Sequence, residues 1–216
     1  MNKLQLNEPA LFLLYGYPGV GKTYFARQLA EETGSAHIQG DRIRFELFEE
    51  PRYDRQENEL VMHLMNYMSE EFLKAGIPVI YDTNAMRLSQ RRTLRELARK
   101  AKCQSLIVWI QVDIESAFVR ASKRDHRKLD DKFAQEMTEK MFQKFSGYMQ
   151  NPNPTEEYVV VSGKHTYNTQ RGALMKKLYT MGLINSTTAA SGVVKPGLVN
   201  LVPGRVDQHR RNVIIR

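Results

Sequence analysis

The stretch LLYGYPGVGKTYFARQLAEE, Leu13 to Glu32, decides the fold. An unbroken apolar run, ALFLLY (Ala10 to Tyr15), leads into Gly16, and Gly16, Gly21, Lys22 and Thr23 then fill the pattern G-x-x-x-x-G-K-[ST] ahead of an amphipathic helical segment. Glycines let the backbone N–H groups of such a loop wrap phosphates, and the helix beginning near Gly21 aims its positive end at them. Lys22 is placed to bridge β- and γ-phosphates, and Thr23 to set its hydroxyl on Mg²⁺. Gly16, Tyr17, Pro18, Gly19, Val20, Gly21, Lys22, Thr23 and Tyr24 are therefore the candidate nucleotide contacts. Hydrolysis, switching and phosphate transfer are all compatible with this loop alone.

Outward from the loop, apolar runs alternate with helical periodicity, the pattern of a parallel sheet covered on both faces by helices. The expected strands are Ala10 to Tyr15, His37 to Gln39, Ile77 to Asp82, Ser105 to Val112 and Glu157 to Ser162. Between them Leu60, Val61, Leu64, Met68 and Phe72 make one helical stripe, and Leu94, Leu97, Ala98 and Ala101 another. Ile114, Ala117, Phe118 and Ala121 follow Asp113, an N-cap residue. Phe133, Met137, Met141 and Phe145 extend a helical pattern to NPNP at Asn151, and a last helix is expected over Gln170 to Met181 with Gly182 as its stop. A three-layer α/β domain over 1–184 thus precedes a linker and basic tail, 185–216. That tail packs as an extended strip, binds a partner or is disordered.

The chain has 216 residues, 42% of them hydrophobic, enough for one sizeable core. Its net charge of +8 is concentrated at the end: residues 151–216 hold nine Lys and Arg against three acids, so +6 lies there and +2 in the first 150 residues. Such a basic end attracts phosphate backbones or simply solvates the surface. Cys103 is the sole cysteine and heads an apolar run, which fits a core position in a reducing compartment. No apolar stretch reaches the ~18–20 residues of a membrane helix, and the N-terminus lacks a signal-peptide core. A cytoplasmic location is expected.

The residues beyond the loop bear on what receives the phosphate. Asp82 closes the third strand at the sheet's carboxyl edge, where open α/β sheets bind ligands; it holds a Mg²⁺-bound water, orients the site, or caps the next helix. Thr83 and Asn84 follow it, with no second acid to activate water, so hydrolysis is not the expected purpose. Guanine-specific relatives commonly carry Asn-Lys-x-Asp; the nearest string, SKRD (Ser122 to Asp125), lacks the Asn, which favours ATP over GTP. Asp41, in GDRIRFELFEE, falls across from the γ-phosphate, where it takes the proton of an attacking hydroxyl or merely caps a helix. Arg44, one turn on, forks onto an anionic acceptor or lies on the surface. Arg120, Arg124 and Arg127 at i, i+4 and i+7 form one helical stripe that supplies charge over the triphosphate, inside a polar, lid-like segment of about 120–132. Ser162, Gly163 and Lys164 make an ordinary turn or an adenine seat after the fifth strand.

GYPGVGKT, GDRIR, VIYDTNAMRLSQRRTLRELARK and RASKR together resemble the P-loop kinases grouped around the phage-type polynucleotide kinase and the zeta toxins, over roughly Leu11 to Ser162. The resemblance implies an adenylate-kinase-like sheet of order 2-3-1-4-5, ATP and Mg²⁺ as cofactors, Asp41 as general base, and Arg44 on the acceptor. It further implies Arg120 and Arg124 as lid arginines, with Thr83, Asn84 and Arg87 or Arg91 near the acceptor. Thr23 and Asp82 are the candidate metal residues. An Asp-x-Asp phosphatase signature is missing, and the tail after Gly182 lies outside the shared pattern. Three functions follow as expectations: an ATP-dependent kinase acting on an RNA or DNA 5′-hydroxyl, the same chemistry on a nucleoside, sugar or nucleotide-sugar, or a non-catalytic ATP-binding interaction module.

Overall fold

The structure is a computed structural model and describes residues 4–83 and 87–185. Five strands, β1 (Ala10–Tyr15), β2 (Ala36–Gln39), β3 (Val79–Asp82), β4 (Gln104–Gln111) and β5 (Tyr158–Ser162), form one all-parallel sheet in the order β2-β3-β1-β4-β5. Seven helices connect and flank them: α1 (Lys22–Thr33), α2 (Gly40–Leu47), α3 (Arg55–Lys74), α4 (Leu88–Lys100), α5 (Ile114–Ser122), α6 (Glu139–Gly147) and α7 (Tyr167–Thr180). Every residue of β1 is buried, because this central strand is covered on both faces. Its alternate side chains feed two cores. Ala10, Phe12 and Leu14 meet α1, α5 and α7, while Leu11, Leu13 and Tyr15 meet α3 and α4. Among the described residues no helix is long and apolar enough to cross a membrane.

The chemistry-bearing loops share one edge because all five strands run the same way. β1 ends at the phosphate-binding loop, β2 at Asp41 and β3 at Asp82, with Gln39 and Asp82 in register as neighbours. The edge is pinned from the far side by Arg91, whose Nε and Nη2 donate to Glu156 at 2.9 and 3.0 Å. Both side chains are fully buried. Arg91 also donates to the Gln150 carbonyl at 2.8 Å and stacks over Tyr15 at 5.1 Å, so it fixes the run into β5 instead of assisting the acceptor.

Three expected elements shift. The buried line of α3 is Glu57, Val61, Met65, Ser69 and Leu73, one position round from the expected stripe; Leu60 is exposed. The cause is the helix start: Asp54 caps the Glu57 N–H at 3.0 Å, and the Glu57 carboxylate is drawn inward by Arg44. α6 begins at Glu139, capped by Thr138, so Phe133 and Met137 precede it, and Phe133 turns instead onto Phe45 with ring centroids 5.3 Å apart. α7 starts at Tyr167, whose hydroxyl reaches Glu32 at 2.6 Å. The expected linker and basic tail lie outside the described residues except for Asn185.

Candidate active site

The loop between β1 and α1 is a backbone device. Gly16, Gly19 and Gly21 hold φ of 147°, 84° and 97°. A Cβ would lie 2.4 Å from the Ile110 carbonyl oxygen at Gly16 and 2.2 Å from that of Ala117 at Gly19. The glycines therefore serve both conformation and close approach to β4 and α5. Lys22 is buried, and its Nζ donates to the carbonyls of Gly16 and Tyr17 at 3.0 Å each. An ammonium has three N–H donors, so one is left for a phosphate oxygen. Burial pulls the Lys22 ammonium down to about 8, against the opposing pull of Asp82.

Gly19, Val20, Gly21, Lys22, Thr23 and Tyr24 line one wall of a cleft of about 660 Å³. Tyr17 faces a smaller groove beside Trp109, and Gly16 acts on the site through the carbonyl that holds Lys22. Pro18 is buried in the loop. Opposite stand Gln39, Asp41, Asp82 and Thr83 from the ends of β2 and β3. Asp82 is 3% exposed, and its Oδ2 shares a hydrogen bond of 3.1 Å with His37 Nε2. Asp41 is partly exposed at the head of α2; burial of its carboxylate and the neighbouring Asp82 charge push it up to about 6, while Arg124, Lys22 and Arg44 pull the other way. A carboxyl tuned to that range can both accept and hold a proton near neutrality.

The third wall carries the cations. Arg120, Lys123, Arg124 and Lys128 all line the cleft. The expected arginine stripe is not one helix face: α5 ends at Ser122, so only Arg120 is helical. Arg127 leaves the cleft and pairs with Asp125 at 2.9 Å. The polar sequence after Ser122 has no apolar face with which to continue the helix, and Asp125 turns the chain by accepting from the Arg127 N–H at 3.1 Å. The segment is fastened toward its C-terminal end. Asp130 accepts from Arg27 of α1 at 2.9 and 3.2 Å, and Phe133 packs on Phe45 with Arg42 above its ring at 5.7 Å.

On the β5 side, Gly163, Lys164, His165, Thr166 and Gln170 complete the cleft. The Gly163 N–H donates to Gln111 at 2.9 Å and its carbonyl accepts from Arg120 at 2.9 Å. A Cβ there would sit 2.5 Å from the Val20 carbonyl oxygen. The turn after β5 thus packs directly on the phosphate-binding loop.

Two expected acceptor residues stand elsewhere. Arg44 is 6% exposed and forks onto Glu57 at 3.0 Å and Asn58 at 2.6 Å. Arg87 is exposed, its guanidinium 4.2 Å from the centre of the Tyr148 ring. Asn84 lies outside the described residues. Conversely, Lys123 and Lys128 line the cleft and His37 supports Asp82 from beyond it, three groups that spacing did not single out. His37 could have been found by strand alternation, two residues before Gln39, the register partner of Asp82.

The donor set fits a hard cation. The Thr23 hydroxyl and the Asp82 carboxylate are hard oxygen donors that line the same cleft, and the described residues include no group of three or more His, Cys, Asp or Glu able to hold a metal by themselves. Such a pair suits Mg²⁺, which commonly takes one or two protein oxygens and completes its shell with phosphates and water.

Comparison with known proteins agrees with this geometry. Residues 11–152 match a family model described as AAA domain. A gluconokinase from Sinorhizobium meliloti 1021 superposes with a TM-score of 0.59 at 18% identity, over 81% of this chain and 94% of that one. Chaetomium thermophilum Kti12 in complex with ADP-AlF3 does so with 0.62 at 16% identity, over 81% and 100%. A chain of the Pnkp1/Rnl/Hen1 RNA repair complex gives 0.56 at 19% identity, over 66% of this chain and 44% of that one. At these identities the shared property is the P-loop kinase-like fold. A search of curated proteins returned no match.

Proposed function

The chain belongs to the AAA domain family that its residues 11–152 match, and on that premise we propose that it is an ATP-dependent phosphotransferase acting on the 5′-hydroxyl of a polynucleotide. One observation carries the reading: Asp41, tuned to about 6, faces the phosphate-binding loop across the cleft, while Asp82 is followed by Thr83 and not by a second acid. A site made for water would place its base beside Asp82. Here the candidate base, Asp41, stands at the head of α2 and lines the same cleft as the phosphate-binding loop.

In the proposed reaction Asp41 accepts the proton of the attacking hydroxyl. That oxygen forms a bond to the γ-phosphorus of ATP as the bond to the β,γ-bridging oxygen breaks, and ADP leaves. Lys22 donates to the phosphate oxygens, and Arg120 and Arg124 neutralise the charge that spreads over the transferred group. Thr23 and Asp82 would hold Mg²⁺, which when bound neutralises phosphate charge. His37 orients Asp82 through its hydrogen bond. Six cations line the cleft (Lys22, Arg120, Lys123, Arg124, Lys128 and Lys164) against four acids (Asp41, Asp82, Asp130 and Asp131), so its field favours a polyanionic acceptor.

The test is transfer of label from γ-labelled ATP to a panel of 5′-hydroxyl oligonucleotides, nucleosides and sugars, gluconate among them. Oligonucleotides should be labelled, and Asp41→Asn should lower the rate about a hundredfold or more while nucleotide binding persists. Labelling of a sugar alone would move the reading to the small acceptor that the gluconokinase and sugar kinase likenesses raise. Labelling of nothing in the panel would leave the non-catalytic module.

A further inference from the structure

A strained aromatic residue stands against Arg44, one helical turn from the candidate base, and the transfer chemistry above makes no use of it. Tyr53, in the turn between α2 and α3, has φ +57°, a left-handed conformation that bulky residues rarely adopt. The surroundings over-determine that conformation. Glu57, 2% exposed, accepts from the Tyr53 N–H at 2.8 Å, from the Arg52 N–H at 2.9 Å, and from Arg44 Nη1 at 3.0 Å. Asn58 donates to the Tyr53 carbonyl at 3.3 Å. Arg44, forked onto Glu57 and Asn58, lies with its guanidinium 4.7 Å from the centre of the Tyr53 ring, and its buried Nε has no hydrogen-bond partner.

Arg44 is one helical turn from Asp41 on α2 and its guanidinium lies over the Tyr53 ring, so the ring stands on the Asp41 side of the fold, behind the residues that line the cleft. The electrostatics agree: burial and the Asp41 carboxylate push the Tyr53 hydroxyl up, and Arg44 and Arg124 pull it down, so the hydroxyl senses both the base and the lid arginine. Arg44, expected to grip the acceptor, is instead committed to supporting Tyr53.

We propose that Tyr53 is the acceptor platform, its ring braced by Arg44 and held in place by Glu57 so as to stack on the nucleobase adjoining the hydroxyl that Asp41 deprotonates. The inference rests on the polynucleotide reading above. A half-buried π face accepts any base without reading its edge, and a pyranose or an open-chain sugar acid offers it no matching plane.

The experiment uses the full chain and two 5′-hydroxyl oligonucleotides, identical except that the terminal nucleotide of one is an abasic tetrahydrofuran residue. The wild-type protein should prefer the base-bearing end by about tenfold in kcat/KM, the usual scale for one aromatic–base stack. Tyr53→Phe should keep the preference, and Tyr53→Ala should bring the ratio of the two acceptors toward one. Tyr53→Leu, which keeps apolar bulk without a π face, makes the same comparison where the alanine variant fails to fold. Equal use of both ends by the wild type, or an unchanged preference in Tyr53→Ala or Tyr53→Leu, overturns the platform while the polynucleotide reading stands. Transfer to neither oligonucleotide overturns both.

Discussion

The charge pattern of the cleft predicts a bell-shaped pH profile narrower than ordinary side chains would give. Measured at sub-saturating ATP and acceptor, the second-order rate constant reports groups of the free protein. The acid limb belongs to Asp41, raised to about 6 by burial and by Asp82. Its active form is the carboxylate, which is lost as pH falls through about 6. A carboxyl of that strength is about nine-tenths ionised at pH 7 and about one-tenth at pH 5, so the rate should fall about tenfold between them; an unperturbed aspartate near ~3.9 would lose almost nothing. The alkaline limb belongs to Lys22, lowered to about 8 by burial, whose active ammonium form is lost as pH rises through that value. Phosphates bound beside Lys22 favour its charge, so at saturating ATP the alkaline limb should move upward. Arg124→Met removes a cation that holds Asp41 down, and should therefore raise the acid midpoint as well as slow the reaction. The assay is label transfer from γ-labelled ATP in constant-ionic-strength buffers from pH 5 to 9. A flat rate from pH 7 to 5 would refute Asp41 as the base, and an acid midpoint unmoved in Arg124→Met would refute the coupling.

Further consequences reach the fold and the partners. Arg91→Met leaves Glu156 buried without its bidentate partner and should cost about 3–5 kcal/mol, read as a lower urea midpoint; Arg91→Met with Glu156→Leu should recover much of that loss, since a buried pair replaced by apolar groups is often neutral. Gly163→Ala drives a Cβ to 2.5 Å from the Val20 carbonyl oxygen, so it should raise KM for ATP several-fold, at a stability cost of ~1–3 kcal/mol. If the acceptor is a polynucleotide, its KM should climb steeply with salt through release of condensed counterions, whereas a salt-independent KM would argue for a small acceptor.

The α/β order and the phosphate loop were legible in the sequence because each rests on local signals. β1 is an all-apolar run whose ends are set by Asn7-Glu8-Pro9 and Gly16, and the parallel order follows from strands alternating with helices. The positions of Asp41 and Asp82 were legible because Asp82 closes β3 and Asp41 follows the end of β2 at the same sheet edge. What was not legible depends on contacts between distant residues. Arg44 and Glu57 are thirteen residues apart, and nothing in either local pattern says that they pair; yet their pairing accompanies a one-position rotation of α3 and takes the arginine out of the cleft lining. Arg91 fell on an apparently amphipathic helix and is held by Glu156, sixty-five residues later. The end of α5 failed for a different reason: spacing of three arginines was read as helix where the apolar face had already stopped at Ala121.

The displaced Arg44 bears on how the proposed acceptor side is built. An arginine left free at the cleft mouth would attract any anion and would compete with the triphosphate for the lid. Holding Arg44 on Glu57 and Asn58 removes that competition, because both arms of its fork are already engaged. Its positive charge still bears on Asp41 and helps to keep that carboxylate ionised near neutrality. The same guanidinium fixes the Tyr53 ring. One buried residue can thus tune the base and shape the acceptor pocket without touching either substrate. Arg44→Lys separates the two effects: it keeps the charge near Asp41 but loses the fork and the planar stack. The acid limb of the pH profile should then stay near about 6, while the preference for a base-bearing acceptor end falls. An acid midpoint that shifts with preference intact would reverse that assignment.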